Sequence, residues 1–423
     1  MKKMKIIAAH PTGNANVRSI VTAFSKAEML SEFITTLSIY PKSKWLKILP
    51  KALREELLRR SFDLPSHQIH THPFLELVRI ISPKMGLAQL VRNENAWASV
   101  DAVYHNLDKI TSKRLSYLIN KEKVTAVYAY EDGALATFTL AKELDLKCIY
   151  DLPIAFWGTS RKLMLEEAQR LPTWAITLGG GISDSTSKLD RKSRELELAD
   201  IVIAPGKFVA DSLPKWASNK KIVIAPFGSP RSSENIKNSD CGIKIPSLKK
   251  KQLRILFVGS MGQRKGLGDL FAAMRLLKNE NFELVVMGSL LAPMEFYRSE
   301  LPEFTYEEGR PHQDVLKLMR SCDVFCLPSI VEGRALVMQE AMSQGLPIII
   351  TPNTGGEDLV IEGVTGFLVP IRSPALIAEK LEWFNNNLIK MKEMGRLAQQ
   401  HAETYSWEMY GSKIINEIKE FLG

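Results

Sequence analysis

Cysteine is scarce in this sequence, and long apolar runs are missing from it. Four cysteines in 423 residues exclude the disulfide framework on which small secreted proteins depend. No run of about eighteen apolar residues occurs, so no segment has the character of a membrane-spanning helix. The N-terminal apolar run, residues 6–9, is too short for a signal peptide. We therefore expect it to form the first β-strand of a protein that stays in the cytoplasm.

The composition that is present belongs to a globular protein. Hydrophobic residues make up 45% and charged residues 24% of the chain, which excludes general disorder and collagen-like repeats. Lys plus Arg is 56 and Asp plus Glu is 47, giving a net charge of +9. The length suits two or three domains.

Short apolar runs alternate with helix-like stretches, and this alternation is typical of parallel sheets with crossover helices. One series of runs covers residues 5–10, 124–129, 148–150, 201–204 and 222–225. A second series covers residues 254–258, 283–287, 323–327 and 347–351. Between them, residues 228–233 and 247–251 have the chemistry of turns and linkers.

We therefore predict an α/β protein with two Rossmann-like lobes that face each other across a cleft. The predicted divisions are an N-terminal lobe over 1–230, a linker over 231–252, a C-terminal lobe over 253–405, and a C-terminal helix over 406–423 that can cross back to the first lobe. Ligands of open parallel sheets bind beyond the carboxyl ends of the strands. The functional residues should therefore lie in loops that follow strands.

Residues 41–60 do not fit the alternation of strands and helices. Trp45 and several leucines recur there at helical intervals, beside Lys42, Lys44, Lys47, Lys51, Arg54, Arg59 and Arg60. A basic amphipathic helix of this kind can lie on an anionic membrane surface. The alternative is a helix that packs on its own domain and exposes its basic face, and Pro50 interrupts the pattern. The sequence leaves both interpretations open.

Two glutamates are the first candidate site residues. Glu332 follows the apolar run 323–327 and precedes a helix-like stretch that contains Glu340. We expect Glu340 to lie two turns along that helix. The free N–H groups of Gly333, Arg334 and Ala335 would then point into the cleft, where a helix N-terminus attracts phosphate. The two carboxylates would accept hydrogen bonds from sugar hydroxyls.

A glycine-rich stretch, residues 258–266, follows the first run of the second series. Gly259 and Gly262 permit a close approach, and Arg264 and Lys265 supply positive charge at the opening of the next helix. Cations in such a position stabilise a diphosphate, and they do so more strongly as it departs and gains charge.

These residues resemble the family 4 (group 1) retaining glycosyltransferases, whose two Rossmann-like lobes form the GT-B fold. The resemblance covers nearly the whole C-terminal lobe and is looser in the N-terminal lobe. It rests on Gly259, Lys265-Gly266, residues 323–329, the E-x7-E pair Glu332 and Glu340 with Ala341-Met342, residues 345–347, 354–356 and 363–370, and, in the first lobe, residues 199–203 and 226–228.

The resemblance implies a role for each matching residue. Lys265 would hold the donor diphosphate, Glu340 the ribose hydroxyls and Glu332 the donor sugar, while the backbone near Arg310 would read the base. The other implied donor-binding positions are Gly259, Ser260, Gly333, Arg334, Ala335 and Leu336. Gly13 and Asn14, in the loop after the first strand, would approach the phosphates or the acceptor.

Three departures from the family pattern bear on these roles. Ser260 stands where the family usually has arginine, so that Arg264 would supply the missing charge. Arg334 adds a cation to the loop after Glu332. Where many members place a histidine near the donor sugar, this chain has Tyr150-Asp151, and Asp151 is the candidate to accept a hydrogen bond or to position the acceptor. Its alternative is a turn or cap carboxylate before Pro153.

The reaction that the resemblance implies is transfer of a sugar from a UDP- or GDP-sugar to an acceptor hydroxyl, with retention at the anomeric carbon. The acceptor would be a saccharide or a lipid-linked molecule in the synthesis of a cell-surface polysaccharide or glycolipid, and nucleic acid is not an expected partner. We expect no cofactor and no metal, since the metal-binding D-x-D motif does not occur in the sequence. Cys322 and Cys326 are better explained as buried strand residues than as zinc ligands.

Two other functions fit parts of the pattern. A nucleotide-sugar epimerase shares the two-lobe architecture, although it needs acid–base groups at the sugar ring and no acceptor site. A non-catalytic nucleotide-sugar binding protein is suggested by Ser260, Arg334 and Asp151. The sequence favours the transferase because of the paired glutamates, and a peripheral location at the inner face of the membrane is open.

Overall fold

A computed structural model describes residues 4–230, 252–277 and 281–423 of the chain. Apart from Gln252, the predicted linker lies outside these residues, so the division of the chain there stays a prediction. The described residues form two parallel sheets, each covered by helices. Structures of this kind require apolar strands, because both faces of each strand are buried.

The first sheet has seven parallel strands in the order β3-β2-β1-β4-β5-β6-β7. Their bounds are β1 (Ile6–Ala9), β2 (Leu30–Thr35), β3 (Ile69–Thr71), β4 (Ala126–Tyr130), β5 (Lys147–Asp151), β6 (Ile201–Ala204) and β7 (Lys221–Ile224). Its helices are α1 (Ala15–Lys26), α2 (Lys51–Leu58), α3 (Phe74–Ile81), α4 (Val100–Leu118), α5 (Leu135–Glu143), α6 (Trp157–Arg170), α7 (Thr186–Leu198) and α8 (Lys207–Asp211). We call this part of the molecule the first lobe.

The second sheet has six parallel strands in the order β10-β9-β8-β11-β12-β13. Their bounds are β8 (Leu253–Val258), β9 (Phe282–Met287), β10 (Thr305–Glu307), β11 (Val324–Leu327), β12 (Ile348–Ile350) and β13 (Gly366–Leu368). Its helices are α9 (Leu267–Leu276), α10 (Met294–Glu300), α11 (His312–Arg320), α12 (Leu336–Ser343), α13 (Pro374–Asn386) and α14 (Leu388–Glu403). This part is the second lobe.

The two-lobe α/β fold expected from the alternation is confirmed. The first strand shows why its apolar run is continuous: Ile6 and Ala8 pack in the core on one face of the sheet, and Ile7 packs in the core on the other. Each predicted run corresponds to a strand. The sequence pattern missed β2, β3, β10 and β13, three of which have only three residues each. Cys322 and Cys326 are both buried, as expected, although only Cys326 lies in a strand and Cys322 precedes β11.

The strand order of each sheet reverses direction at one point, between β1 and β4 in the first sheet and between β8 and β11 in the second. The crossover helices leave the two neighbouring strands in opposite directions there, which opens a crevice beyond their carboxyl ends. The loops that contain Gly13, Lys265 and Glu332 all begin at these switch points.

The last helix, α15 (Trp407–Leu422), packs on the first lobe although it follows the second in sequence. Ser406 begins this helix by accepting a hydrogen bond from the N–H of Met409. Tyr410, Ile414 and Ile418 are buried in the same core as Phe24 of α1.

Residues 41–60 divide at Pro50 into a 3₁₀ segment, Lys44–Ile48, and α2. Leu46 and Leu57, which the periodicity placed on an apolar face, are buried against Leu37, Ile39 and Ile80. Much of the apolar face of this segment therefore packs within its own lobe. Across the ranges that the structure describes, no helix combines the length and the apolarity that crossing a bilayer requires.

The lobes are joined by a segment of the first lobe that enters the second. Trp174, which follows α6, is 1% exposed and lies within the core of the second lobe. Its ring meets those of Phe271, Phe296 and Tyr297 edge-on, with centroids 5.0 to 6.0 Å apart. Burying a tryptophan in this way stabilises the contact between the lobes through apolar area and ring packing.

Polar groups surround this apolar contact. Arg170 forms a bidentate ion pair with Asp269, with N–O distances of 2.8 and 2.7 Å. Gln263 of the second lobe donates a hydrogen bond of 2.7 Å to the buried carboxylate of Glu167. Burial would raise the pKa of Glu167, but its hydrogen bonds with Arg170, Gln263 and Arg372 outweigh that effect and lower it.

We expect Trp174→Ala to lower the free energy of unfolding by about 3–5 kcal/mol, because it leaves a cavity in the second-lobe core. Urea denaturation followed by circular dichroism measures this change. Trp216→Ala is the matched control, since Trp216 is 48% exposed and should lose little stability. A loss below about 1 kcal/mol for Trp174→Ala would contradict the contact described above.

Candidate functional site

Two loops of the second lobe place a carboxylate between two cations. Lys265 and Arg264 lie in the turn after β8, and Glu332 lies in the loop after β11. The Lys265 Nζ atom is 2.5 Å from Glu332 Oε1, and the Arg264 guanidinium donates to the same oxygen over 2.8 Å. The sequence analysis placed both loops at the cleft but did not predict these ion pairs. The predicted direct role of the cations toward a phosphate stays a prediction.

The ion pairs determine the charge of Glu332. This residue is 9% exposed, and burial alone would raise the pKa of its carboxyl group. The positive charges of Lys265 and Arg264 and their hydrogen bonds outweigh burial and lower that pKa. Glu332 is therefore ionised at neutral pH, and two cations share one anion.

Glycine at position 259 makes room for the lysine. A Cβ atom there would lie 2.5 Å from Cδ of Lys265, so a larger residue would displace its side chain. Ser260 is half-buried beside it, and its carbonyl oxygen accepts a hydrogen bond from the N–H of Gly262. Because residue 260 is a serine and not an arginine, Arg264 is the cation that accompanies Lys265 in this turn.

The helix after Glu332 begins later than the sequence indicated. Its first residue is Leu336, and Ala335 occupies the cap position in an extended conformation. The expectation of a free Ala335 N–H is wrong, because this group donates to the carbonyl oxygen of Thr354. Within the part of the chain that the structure describes, the N–H groups of Gly333, Arg334, Leu336 and Val337 have no hydrogen-bond acceptor.

Glu340 is the fifth residue of α12, a little more than one turn along the helix rather than the expected two. Its Oε1 atom lies 3.1 Å from Nε2 of His312, at the start of α11. The side chain of His312 is 56% exposed, whereas that of Glu340 is 16% exposed. Arg310, two residues before His312, pairs with Glu307 at the end of β10. His312 is a neighbour of this site that the sequence analysis missed.

Gly333 lies where the two lobes touch. A Cβ atom on this residue would be 1.7 Å from the carbonyl oxygen of Pro153, in the loop after β5 of the first lobe. A Cβ atom on Gly355, after β12, would in turn be 1.7 Å from the carbonyl oxygen of Gly333. Three backbone segments are therefore stacked here, and only glycine permits this approach.

Arg334 does not place its charge in the cleft. Its guanidinium is buried, forms a bidentate pair with Asp358 over 2.7 and 3.1 Å, and donates to the carbonyl oxygen of Gly355. It also donates to Gln339, whose amide nitrogen donates to the carbonyl oxygen of Phe227. The expectation that Arg334 adds a cation to the site is therefore corrected: it ties α12 to the chain that leaves the first lobe.

Leu336 also contacts the first lobe, where its side chain packs against the core that contains α1. Gly13 and Asn14 lie between β1 and α1, and Asn14 is exposed at the start of that helix. These residues stay candidates for contact with the phosphates or the acceptor.

Asp151 is the last residue of β5, but its carboxylate is not available to a ligand. It is 2% exposed and accepts a hydrogen bond of 2.5 Å from the hydroxyl of Tyr128. Burial raises its pKa to about 7, and the hydrogen bond from Tyr128 offsets part of that effect. The expectation that Asp151 contacts the acceptor is therefore corrected, since alternation along the strand turns its side chain into the core.

Buried polar groups at the same edge of the first sheet were also missed. His10 follows β1, is completely buried, and packs its ring on Tyr130 with centroids 4.1 Å apart. Burial lowers its pKa to about 3, so it is neutral. Glu131 follows β4 and lies 3.3 Å from Nζ of Lys192. Their positions directly after apolar strand runs were the signal in the sequence.

Comparison with known proteins identifies a family match in the C-terminal part of the chain and relatives that cover about half of it. Residues 243–401 match the family model described as "Glycosyl transferases group 1". D-inositol 3-phosphate glycosyltransferase of Paenarthrobacter aurescens (strain TC1) is 29% identical over 266 residues, which cover 56% of this chain and 63% of that protein. The capsular polysaccharide biosynthesis glycosyltransferase CapM of Staphylococcus aureus is 27% identical over 222 residues, covering 49% and 58%. The matched parts span about three fifths of the length of these relatives.

Comparison of structures covers both lobes. Anabaena Alr3699/HepE, solved in complex with UDP, superposes with a TM-score of 0.58 and 14% identity, over 99% of this chain and 100% of that one. The likeness shows that the two-lobe arrangement is the GT-B fold. The resemblance drawn from the sequence motifs is confirmed.

We expect Asp151→Asn to flatten the pH dependence of stability. The folded protein holds a proton on this carboxyl group up to about pH 7, whereas an unfolded chain releases it near pH 4. The proton on Asp151 therefore stabilises the folded protein fully below about pH 4. As the pH rises from there to about 7, the free energy of unfolding falls by up to about 1.4 kcal/mol per pH unit.

Urea unfolding at several pH values across this window measures the slope for the native protein and the variant. Asp145→Asn is the matched control, because Asp145 is exposed and should leave the slope unchanged. Equal slopes for the native protein and Asp151→Asn would show that Asp151 is already ionised when folded.

Proposed function

From the match of residues 243–401 to the group 1 glycosyltransferases, we propose that the protein transfers a sugar from a nucleotide-diphosphate sugar to an acceptor hydroxyl with retention of anomeric configuration. The observation that carries the proposal is the pairing of Lys265 and Arg264 with Glu332 at the switch point of the second sheet. Two cations and a row of free backbone N–H groups lie beside one carboxylate there.

The donor diphosphate would bind to the cations. Lys265 and Arg264 share the single charge of Glu332, so an arriving diphosphate can replace that carboxylate as their partner. The free N–H groups of Gly333 and Arg334 and those at the start of α12 add donors and the positive end of a helix dipole. Glu332, released from the cations, would accept hydrogen bonds from the donor sugar.

Glu340 would hold the ribose. Its carboxylate lies on α12, the helix that follows the loop of Glu332, and its present partner His312 is exposed and can move away. A carboxylate accepts hydrogen bonds from both hydroxyls of a ribose, since each of its oxygens offers two acceptor sites. The backbone of the Arg310 loop, which leads into α11, would lie against the base.

Sugar transfer requires that the enzyme stabilise the departing diphosphate. As the bond to the anomeric carbon breaks, negative charge grows on the diphosphate and positive charge on the sugar ring, and Lys265 and Arg264 stabilise the former. The acceptor hydroxyl would attack from the face that the diphosphate leaves and give its proton to a phosphate oxygen. No side-chain base is then required, and in this proposal the two cations act where other transferases use a divalent ion held by D-x-D.

The proposed acceptor is a saccharide or a lipid-linked molecule used for a cell-surface polysaccharide or glycolipid, with the reaction in the cytoplasm. This proposal is supported by the similarity to CapM, which is named for capsular polysaccharide biosynthesis. The donor would be a UDP- or GDP-sugar, and the fold shared with a UDP-bound protein supports a uridine nucleotide.

Release of nucleotide from a panel of UDP- and GDP-sugars, measured with and without candidate acceptors, tests the proposal. A transferase releases nucleotide at a rate that the correct acceptor raises, and proton NMR of the product reports retention. An epimerase would change the sugar without release, and a binding protein would do neither. Either of these last two results would replace the proposed function.

We expect Lys265→Ala and Glu340→Ala each to lower kcat/KM by about 10²-fold or more. For Lys265 this is the scale of a single group that stabilises developing charge, and for Glu340 it is the scale of losing two hydrogen bonds to a charged group. For Lys265→Ala the loss should fall mainly on kcat, because the lysine acts on the leaving group. For Glu340→Ala it should fall mainly on the KM for the donor, because ribose contacts change little during the reaction.

Lys392→Ala and Glu382→Ala are the matched controls, since both residues are exposed on the second lobe away from the site. They should retain normal kinetics. Near-normal kcat/KM of both site variants, with the fold intact by circular dichroism, would remove the basis for these two assignments.

A further inference from the structure

Two segments that flank β3, residues 36–66 and 73–99, form an addition to the first lobe that we call the cap. It contains α2, α3 and short 3₁₀ turns. Its sequence has ten Lys or Arg against five Asp or Glu, a net charge of +5. We propose that the cap docks on the surface of an anionic lipid bilayer.

The cap has an apolar interior of its own. Leu37, Leu46, Leu57 and Ile80 are buried together between α2 and α3. An ion pair from Arg60, at the end of α2, to the buried carboxylate of Glu76 on α3 joins the two helices. The cap is thus a packed unit with its own core. Its exposed apolar side chains are not needed for that core.

Several large apolar side chains do lie outside this core. Phe74, Ile81 and Met85 recur at helical spacing along α3 and the turn after it, and they are 67%, 40% and 68% exposed. Trp97 is 56% exposed and its ring lies 6.0 Å from that of Phe74. Leu87 is 51% exposed. Clustered exposed apolar residues mark interaction surfaces, and aromatic rings favour the bilayer interface.

The charge of the cap identifies the partner. Lys42, Lys44, Lys47, Arg59 and Arg92 are exposed. One acidic side chain of the cap is buried: the carboxylate of Glu76 is paired with both Arg60 and Arg79.

The cap exposes both positive charge and apolar side chains, and these two features complement anionic headgroups and the acyl boundary beneath them. It would repel a second copy of itself. In the proposed membrane contact, residues 41–60 supply most of the positive charge, as their sequence suggests, and residues 74–97 supply the apolar side chains.

The cap lies beside the proposed site. The Arg18 guanidinium donates to the carbonyl oxygens of both Gly13 and Arg59, and the Thr36 hydroxyl donates to the carbonyl oxygen of Pro11. The cap is therefore attached to the loop after β1, at the edge of the first sheet that faces the cleft. If the proposed function holds, docking would bring this loop to lipid-linked acceptors at the membrane; the docking itself does not depend on it.

Co-sedimentation of the full-length protein with vesicles tests the proposal. One set of vesicles contains equal parts of phosphatidylglycerol and phosphatidylcholine, and the other contains phosphatidylcholine alone. We expect binding to the anionic vesicles at low salt, weaker binding to the neutral vesicles, and release by high salt, because screening weakens surface charge interactions.

Two double variants locate the surface. Lys42→Glu/Lys44→Glu should lower the partition coefficient for anionic vesicles at least about tenfold, since each exposed lysine near such a surface contributes about fivefold. Phe74→Ser/Trp97→Ser should lower it by a similar factor. The matched controls are Lys390→Glu/Lys392→Glu, with the same change in charge, and Trp216→Ser/Ile389→Ser, all at exposed positions outside the cap.

Three results would overturn the proposal. The first is no binding of the native protein to anionic vesicles at low salt. The second is equal loss of binding in the cap variants and their controls, with all variants retaining the native melting temperature. The third is a lipid-free dimer that Phe74→Ser/Trp97→Ser dissociates while vesicle binding is unchanged, which would assign the patch to a second copy of the chain. None of these results would affect the nucleotide-release assay.

Discussion

Lys265 and Glu332 form an ion pair because β8 and β11 are neighbours in a parallel sheet. The two residues are far apart in sequence, yet the strand order brings the loops after these strands to one crevice. Burial would raise the pKa of Glu332, and the two adjacent cations outweigh that effect and lower it. The proposed binding of a diphosphate depends on the same balance, since a ligand with more negative charge can replace the carboxylate between the cations.

The relation between the lobes depends on contacts of a different kind. Trp174 fills part of the second-lobe core, the Arg170–Asp269 pair lies beside it, and Gly333 meets Pro153 without space for a side chain. Arg334 adds to this arrangement by holding Gln339 against the chain that leaves the first lobe. The loop that follows Glu332 is thus held by both lobes, so contacts between the lobes position the groups that would contact a donor.

Sequence reasoning succeeded where a local pattern reflects a local constraint. The strand that ends at Leu327 was predicted because a strand buried on both faces needs a continuous apolar run, and Glu332 was expected in the loop that follows. It was less successful at helix boundaries. The helix after Glu332 begins at Leu336, because Ala335 hydrogen-bonds to Thr354 of a neighbouring loop, and no local signal in the sequence reports that partner.

The sequence by itself determined the alternation of strands and helices, the loops that contain the charged residues, and the resemblance to the group 1 glycosyltransferases, since these follow from periodicity and short motifs. Only the tertiary structure decided where side chains point. It turned Asp151 into the core and Arg334 toward Asp358, and it left Phe74 and Trp97 exposed on the cap. The reason is physical: burial and pairing depend on residues distant in the chain, whose positions are known only when the sheets and helices have packed.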